Sequence, residues 1–157
     1  MNNPLYDGLV APNLEKTSCF LETENEEISF AAFSRRAAQM AHVLADMGVA
    51  PGDRILVQAP KCAEMVMLYA ATLQAGAVFL PLNTAYTRDE LAYFVGDASP
   101  ALIVCAPAAE DEIVALAEPG NAKVLTLDQD GTGTLAIAAE AKPEQFDTVA
   151  RSSGDLA

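Results

Sequence analysis

Apolar and polar residues change their period several times along this chain, and each change marks an element. SCFLETENEEISF (18–30) alternates in twos: Cys19 and Leu21 lie before the turn-prone Glu24-Asn25-Glu26, Ile28 and Phe30 after it. This is the pattern of a β-hairpin. FAAFSRRAAQMAHVLADMG (30–48) steps in threes and fours instead. Phe30, Phe33, Ala37, Met40, Leu44 and Met47 share one helical face; Arg35, Gln39, His42 and Asp46 share the other, and Gly48 ends the helix. A Pro51-Gly52 turn leads into RILVQAP (54–60), a short strand stopped by Pro60. AEMVMLYAATLQAG (63–76) is apolar nearly all round, so it predicts a helix sandwiched between layers. Residue types switch at Gly76, and AVFLPL (77–82) predicts a buried strand. Thr87-Arg88-Asp89-Glu90 fits a capping box opening a helix whose stripe is Leu91, Phe94, Val95 and Ala98. Beyond Pro100, ALIVC (101–105) predicts a third strand. The acidic Glu110-Asp111-Glu112 start a helix ended by Pro119-Gly120, and AKVLTLD (122–128) predicts a fourth strand. The pattern weakens from Gln129 to Gly154, with one short helix near Leu135–Ala141.

Strands alternating with helices imply βαβ crossovers. The expected class is α/β, a mostly parallel sheet with helices on both faces preceded by a β-hairpin. Ligands of such sheets gather at the carboxyl ends of the strands. NTAYT (83–87), a strand-exit loop before a capped helix, falls at that position. The run MVMLYAATLQAGAVFLPL (65–82) has the length of a membrane span. It contains Thr72, Gln74, Gly76 and Pro81 and lacks basic flanks, so it reads as helix then strand.

The length of 157 residues suits one domain. A net charge of −13, from 22 acidic against 9 basic residues, repels phosphate backbones and excludes nucleic acid as the main partner. Cys19, Cys62 and Cys105 are widely spaced and odd in number, which predicts buried, inert thiols rather than disulfides or zinc. The polar start MNNPLYDGL lacks the features of an export or import signal, so a cytoplasmic location is expected. The single histidine, His42, is expected to be a solvated surface residue, and no metal-ligand set accompanies it. Gly131-Thr-Gly133-Thr-Leu-Ala136 matches GxGxxA after a strand, which admits a stand-alone nucleotide-binding module as an alternative. Asp128 and Asp130 beside the supposed phosphate argue for an ordinary surface turn. A response-regulator domain would need a carboxylate at the end of RILVQAP, where Pro60 stands instead. No catalytic constellation is visible within these residues.

The order of the blocks carries a resemblance. ISFAAFSRRAAQMAHVLADMGVAPGDRILV (28–57) resembles the opening block of the adenylate-forming acyl-CoA synthetases, the AMP-binding superfamily. There a hairpin leads through a long helix and a GV-x-x-GD-R-V turn into a strand. LQAGAVFLPLNTAYTRDELAYFVGDASPALIV (73–104) is similar to their AG-A-x-x-x-P-L-N block, and LPLNTAYT is most similar to malonyl-CoA synthetases. SSGDLA (152–157) falls where relatives enter the strand before their phosphate-binding loop. The resemblance implies that residues 1–157 are a single N-terminal subdomain, with 129–157 leading toward that loop. The parent enzyme would use ATP, CoA and magnesium to convert a small carboxylate such as malonate into its CoA thioester. The remainder of that enzyme is the implied partner. No family catalytic residue maps onto this stretch, so the fragment alone is expected to be inactive. Tyr86 and Arg88 are the residues placed toward the CoA side, Arg88 as a cation for a phosphate.

Overall fold

The computed structural model describes residues 2–157. Four short β-rich runs pair side by side and all in parallel: β3 (Arg54–Gln58), β4 (Val78–Pro81), β5 (Leu102–Cys105) and β6 (Lys123–Thr126), in the spatial order β4-β3-β5-β6. The register sets Ile55 of β3 opposite Phe79 of β4 and Leu102 of β5. Because successive side chains point to opposite faces, each central strand feeds two cores. Ile55, Val57, Leu102 and Val104 face one apolar cluster, while Leu56, Ile103 and Cys105 face the other. This two-sided burial is why the strands read as continuous apolar runs rather than alternating ones.

The first cluster is covered by α2 (Phe30–Asp46), α3 (Ala63–Gln74) and α6 (Thr134–Glu140). The second lies under α4 (Arg88–Ala98) and α5 (Glu110–Ala117), through Leu91, Val95, Ile113 and Ala117. Helices therefore lie on both faces, as the alternation of elements predicts. The hairpin is also present, β1 (Cys19–Glu22) antiparallel to β2 (Glu27–Ser29). Ser29 caps α2 by accepting from the Ala32 amide at 3.2 Å.

Four local expectations are corrected. The polar start contains a helix, α1 (Pro4–Leu9), capped by Asn3 with proline at its first turn. The sequence signal was Asn3-Pro4, a cap residue before a residue preorganised for N1. Cys19 is exposed rather than buried. The ladder shifts register between Cys19 and Leu21, which breaks the alternation and lets Phe20 stack on Phe30 at 4.4 Å. Cys62 is half-buried; only Cys105 is fully enclosed. His42 is half-buried rather than solvated: its imidazole Nε2 lies 2.8 Å from the Gln145 carbonyl, and its ring meets Phe146 edge-on at 4.9 Å.

The contacts of His42 expose what the weakly patterned tail does. Residues 143–151 contain no helix or strand and run as a strap across the ends of α2 and α3. Polar side chains hold it. Gln39 donates to the Lys142 carbonyl, Gln74 to that of Phe146, and Asn3 to those of Leu73 and Val149. The Arg151 amide then donates to the Asn2 carbonyl, tying the two ends of the chain together. Backbone-to-side-chain bonds of this kind leave no hydrophobic period, so pattern reading passes over them.

Candidate functional site

In an open parallel sheet the crevice for a ligand forms where successive connections leave in opposite directions. Here the chain goes from β3 to β4 on one side and returns past β3 to β5 on the other, so that point lies at the carboxyl ends of β3 and β5. Both strand ends run into prolines, Pro60 and Pro107, and the buried Gln58 side chain donates to the Asn83 carbonyl at 2.9 Å. That bond fixes the loop leaving β4 to the end of β3. Within the loop, Asn83 Oδ1 accepts from the Ala85 amide at 2.9 Å, and the Tyr86 amide donates back to the Asn83 carbonyl at 3.2 Å. Such side-chain-to-backbone turns make the loop rigid without burying it.

The capping box then starts α4 as its spelling predicts. The Thr87 amide and hydroxyl both donate to Glu90 Oε2 at 2.8 Å, and Thr87 Oγ1 accepts from the Glu90 amide at 3.5 Å. Those bonds to the ionised form hold the Glu90 carboxyl below its usual value. Tyr86 is half-buried and stacks on Phe94, with ring centroids 5.2 Å apart; Tyr93 meets Phe94 edge-on. Arg88, the first residue of α4, is exposed, and among the described residues it makes no ion pair. Tyr86 and Arg88 thus stand side by side on the carboxyl edge of the sheet, one packed and one free.

A second opening lies on the α3 side of the same edge, between the hairpin turn, the start of α3 and the loop after β6. It is about 680 Å³ and carries the carboxylates of Glu24, Glu26, Glu64 and Asp130 together with the ammonium of Lys61. Arg36 is occupied there by a paired contact to Glu26 at 2.8 and 3.0 Å. The GxGxxA glycines follow Gln129 and Asp130 of this cleft and serve the chain itself. Gly131 (φ +82°) packs against the Glu64 carboxylate. Gly133 (φ +137°) approaches the Thr126 backbone so closely that a Cβ would collide with its carbonyl oxygen. The first amide of α6, that of Thr134, donates to Thr126 Oγ1 at 3.0 Å, and the Thr126 amide donates to Thr134 Oγ1 at 2.8 Å. A pyrophosphate would meet two carboxylates and an amide already in use, so the nucleotide-module alternative has no geometry behind it. Among the described residues no group of three His, Cys, Asp or Glu side chains stands where it would hold a metal ion. Among the described residues no helix is long and apolar enough to cross a membrane, the 65–82 run being divided into α3 and β4.

A parallel sheet with this switch point and this loop is a fold for ligands that lie along a strand edge, and comparison with known proteins gives the class. Residues 10–157 match the family model described as AMP-binding enzyme, and the chain belongs to that family. Its fold is that of the N-terminal part of the acyl-CoA synthetases. Among solved structures it is similar to MatB from Rhodopseudomonas palustris, with 42% identity and a TM-score of 0.95, covering 100% of this chain and 32% of that one. The ATP-bound form of the same protein matches equally, over 99% of this chain. A benzoate CoA ligase from Burkholderia xenovorans LB400 shares the fold, with a TM-score of 0.82 at 17% identity over 99% of this chain and 31% of that one. Tyrocidine synthase 2 of Brevibacillus parabrevis is 31% identical over 123 residues, which are 74% of this chain and 3% of that protein. The chain thus spans about a third of the MatB chain and a small fraction of the longer synthase.

Proposed function

We propose that this chain forms the N-terminal part of an acyl-CoA synthetase acting on malonate. In that reaction the malonate carboxylate attacks the α-phosphorus of ATP, releasing diphosphate and forming an acyl-adenylate. The thiol of CoA then attacks the acyl carbon, releasing AMP and yielding malonyl-CoA. The observation that carries the reading is the 42% identity to MatB, maintained across the whole chain, at a TM-score of 0.95. The loop LPLNTAYT, whose wording resembles malonyl-CoA synthetases, lies on the carboxyl edge where a ligand is expected.

In the cleft on the carboxyl edge Glu24, Glu26, Glu64 and Asp130 outnumber Lys61, a field that disfavours the phosphates of ATP there. We therefore assign ATP, CoA, magnesium and malonate to the whole enzyme, read as cytoplasmic, with the remainder of the enzyme as partner. Residues 1–157 by themselves are expected to be inactive. Within them, Tyr86 and Arg88 form the surface nearest the CoA side. The guanidinium, unpaired among the described residues, stands at the start of α4 beyond the Glu90 carboxylate that already caps it, and is the cation offered to a phosphate there.

The test is a graft in which residues 1–157 replace the matched third of R. palustris MatB. Malonate-dependent exchange of diphosphate into ATP is expected from the graft and not from the isolated chain. Exchange by the purified isolated chain, or a folded graft that activates other carboxylates but not malonate, overturns the reading.

A further inference from the structure

Helix α3 is apolar nearly all round and buried over most of its surface, but it opens to water at Val66 and, partly, at Tyr69. Met67, Leu68 and Ala71 are buried in the core it shares with α2 and the sheet. Val66, Tyr69, Ala70 and Leu73, spaced i, i+3, i+4 and i+7, form a second stripe, in which Ala70 and Leu73 are buried, Tyr69 is half-buried and Val66 is exposed. That stripe is the floor of a groove of about 320 Å³ running between α1, the hairpin and α2. Its walls are Leu9, Phe20 and Phe33, and no charged side chain lines it. Leu9 is 55% exposed, Phe20 40% and Val66 38%, so large apolar side chains stand open to water together. On a surface whose chain carries a charge of −13, an uncharged apolar strip of this kind marks a contact face.

Among the described residues β1 and β2 pair with each other and rest on α2 through Ile28 and Phe20, so the hairpin's outer edges stay unpaired at the rim of the groove. We propose that the outer face of α2 and α3, with the hairpin at its rim, is the seat of an apolar layer belonging to the other two-thirds of the enzyme. This rests on the reading that the chain is part of an acyl-CoA synthetase. Two observations select that occupant. The MatB structure matched over this whole chain uses about three times as much polypeptide, so a second body of protein exists to cover the face. A second copy is disfavoured by charge: the hairpin carries Glu22, Glu24, Glu26 and Glu27, and two copies meeting here would set those carboxylates against each other.

Hydroxyl-radical footprinting with mass spectrometry tests the seat on the same graft and the isolated chain. In the isolated chain Phe20 and Tyr69 are expected to be oxidised readily. In the graft they fall to the level of the buried Phe33, while Tyr93 on the other side of the sheet stays reactive. Equal labelling of Phe20 and Tyr69 in the two proteins overturns the proposal, and so does protection in the isolated chain that grows with its concentration, the mark of a second copy. The exchange assay reports separately on the functional reading: a protected groove in an inactive graft sinks that reading alone, and an active graft with an open groove sinks this one alone. A second measurement needs only the isolated chain. Leu9→Glu with Val66→Glu should abolish most of the fluorescence of bound anilinonaphthalene sulfonate, and Ile137→Glu should not; equal signals refute the groove as the exposed apolar face.

Discussion

Replacing Leu68 by alanine measures how firmly α3 is seated on the core. Leu68 is fully buried, whereas Val66, two residues earlier on the opposite stripe, is 38% exposed. Leu68→Ala deletes three carbon atoms. At ~0.8 kcal/mol for each buried methylene the transfer loss is roughly 2.4 kcal/mol. The cavity left behind raises the expected total to about 3–5 kcal/mol. Val66→Ala deletes two carbons already partly in water, a loss of roughly 1 kcal/mol, and about half of that returns through the better helix propensity of alanine. The isolated chain should therefore lose about 3 kcal/mol or more from the first change and within about 0.5 kcal/mol from the second. For a domain of this size the first corresponds to a fall in Tm of roughly 6–12 °C. Urea unfolding followed by far-UV circular dichroism, compared at matching m-values, gives both numbers. Equal losses at the two positions, or less than about 1 kcal/mol at Leu68, would refute the assignment of α3's inner and outer faces.

Five further outcomes are expected. Thr87→Ala should cost about 1 kcal/mol in urea unfolding, with Thr87→Ser restoring most of it; an unchanged midpoint would show that the box does not hold α4. The Glu90 carboxyl is depressed by its bonds from Thr87, so its contribution is present above the ordinary carboxylate value and lost as pH falls through the lowered one; the wild type should lose more stability than Glu90→Gln between about pH 7 and pH 3. Gly133→Ala combines a positive φ with a collision against the Thr126 carbonyl and should cost at least about 1–3 kcal/mol; a neutral result would mean that the backbone does not approach so closely. Burial, with Glu110 as a second cause, pushes the Cys105 thiol up to about 11, so at about pH 8 iodoacetamide should modify exposed Cys19 first and Cys105 only on unfolding, as mass mapping would show. In the MatB graft, Arg88→Gln should raise KM for CoA while leaving malonate-dependent diphosphate exchange unchanged, and equal effects on both would remove Arg88 from the CoA side.

Much of the fold was legible because each element carries its own short-range signal. The period of α2, the Thr87–Glu90 box, the switch of residue types at Gly76 and the β-rich runs are all written within about a dozen residues, the range over which helix and strand geometry act. The spelling of LPLNTAYT likewise placed the loop beside Tyr86 and Arg88 on the strand-exit edge. The α1 helix had its signal in Asn3-Pro4 but too few apolar positions to make a period.

What local pattern cannot carry is which chain segments meet. The exposure of Cys19 follows from a register shift between two strands, and the cover over His42 comes from residues about a hundred positions away. The glycines of GxGxxA look the same in sequence whether they face a phosphate or a carboxylate; only the arrival of Glu64 and Thr126 beside them decided the matter. The all-round apolarity of α3 told a similar story: composition predicted a helix sandwiched between layers, most of it is buried, and only the tertiary structure shows that Val66 is left open. By itself the sequence determined the elements, their alternation and the family, because backbone propensity and side-chain period are local. Register, the strap and the groove beside α3 were decided by tertiary structure, because burial and hydrogen bonding depend on partners that are distant along the chain.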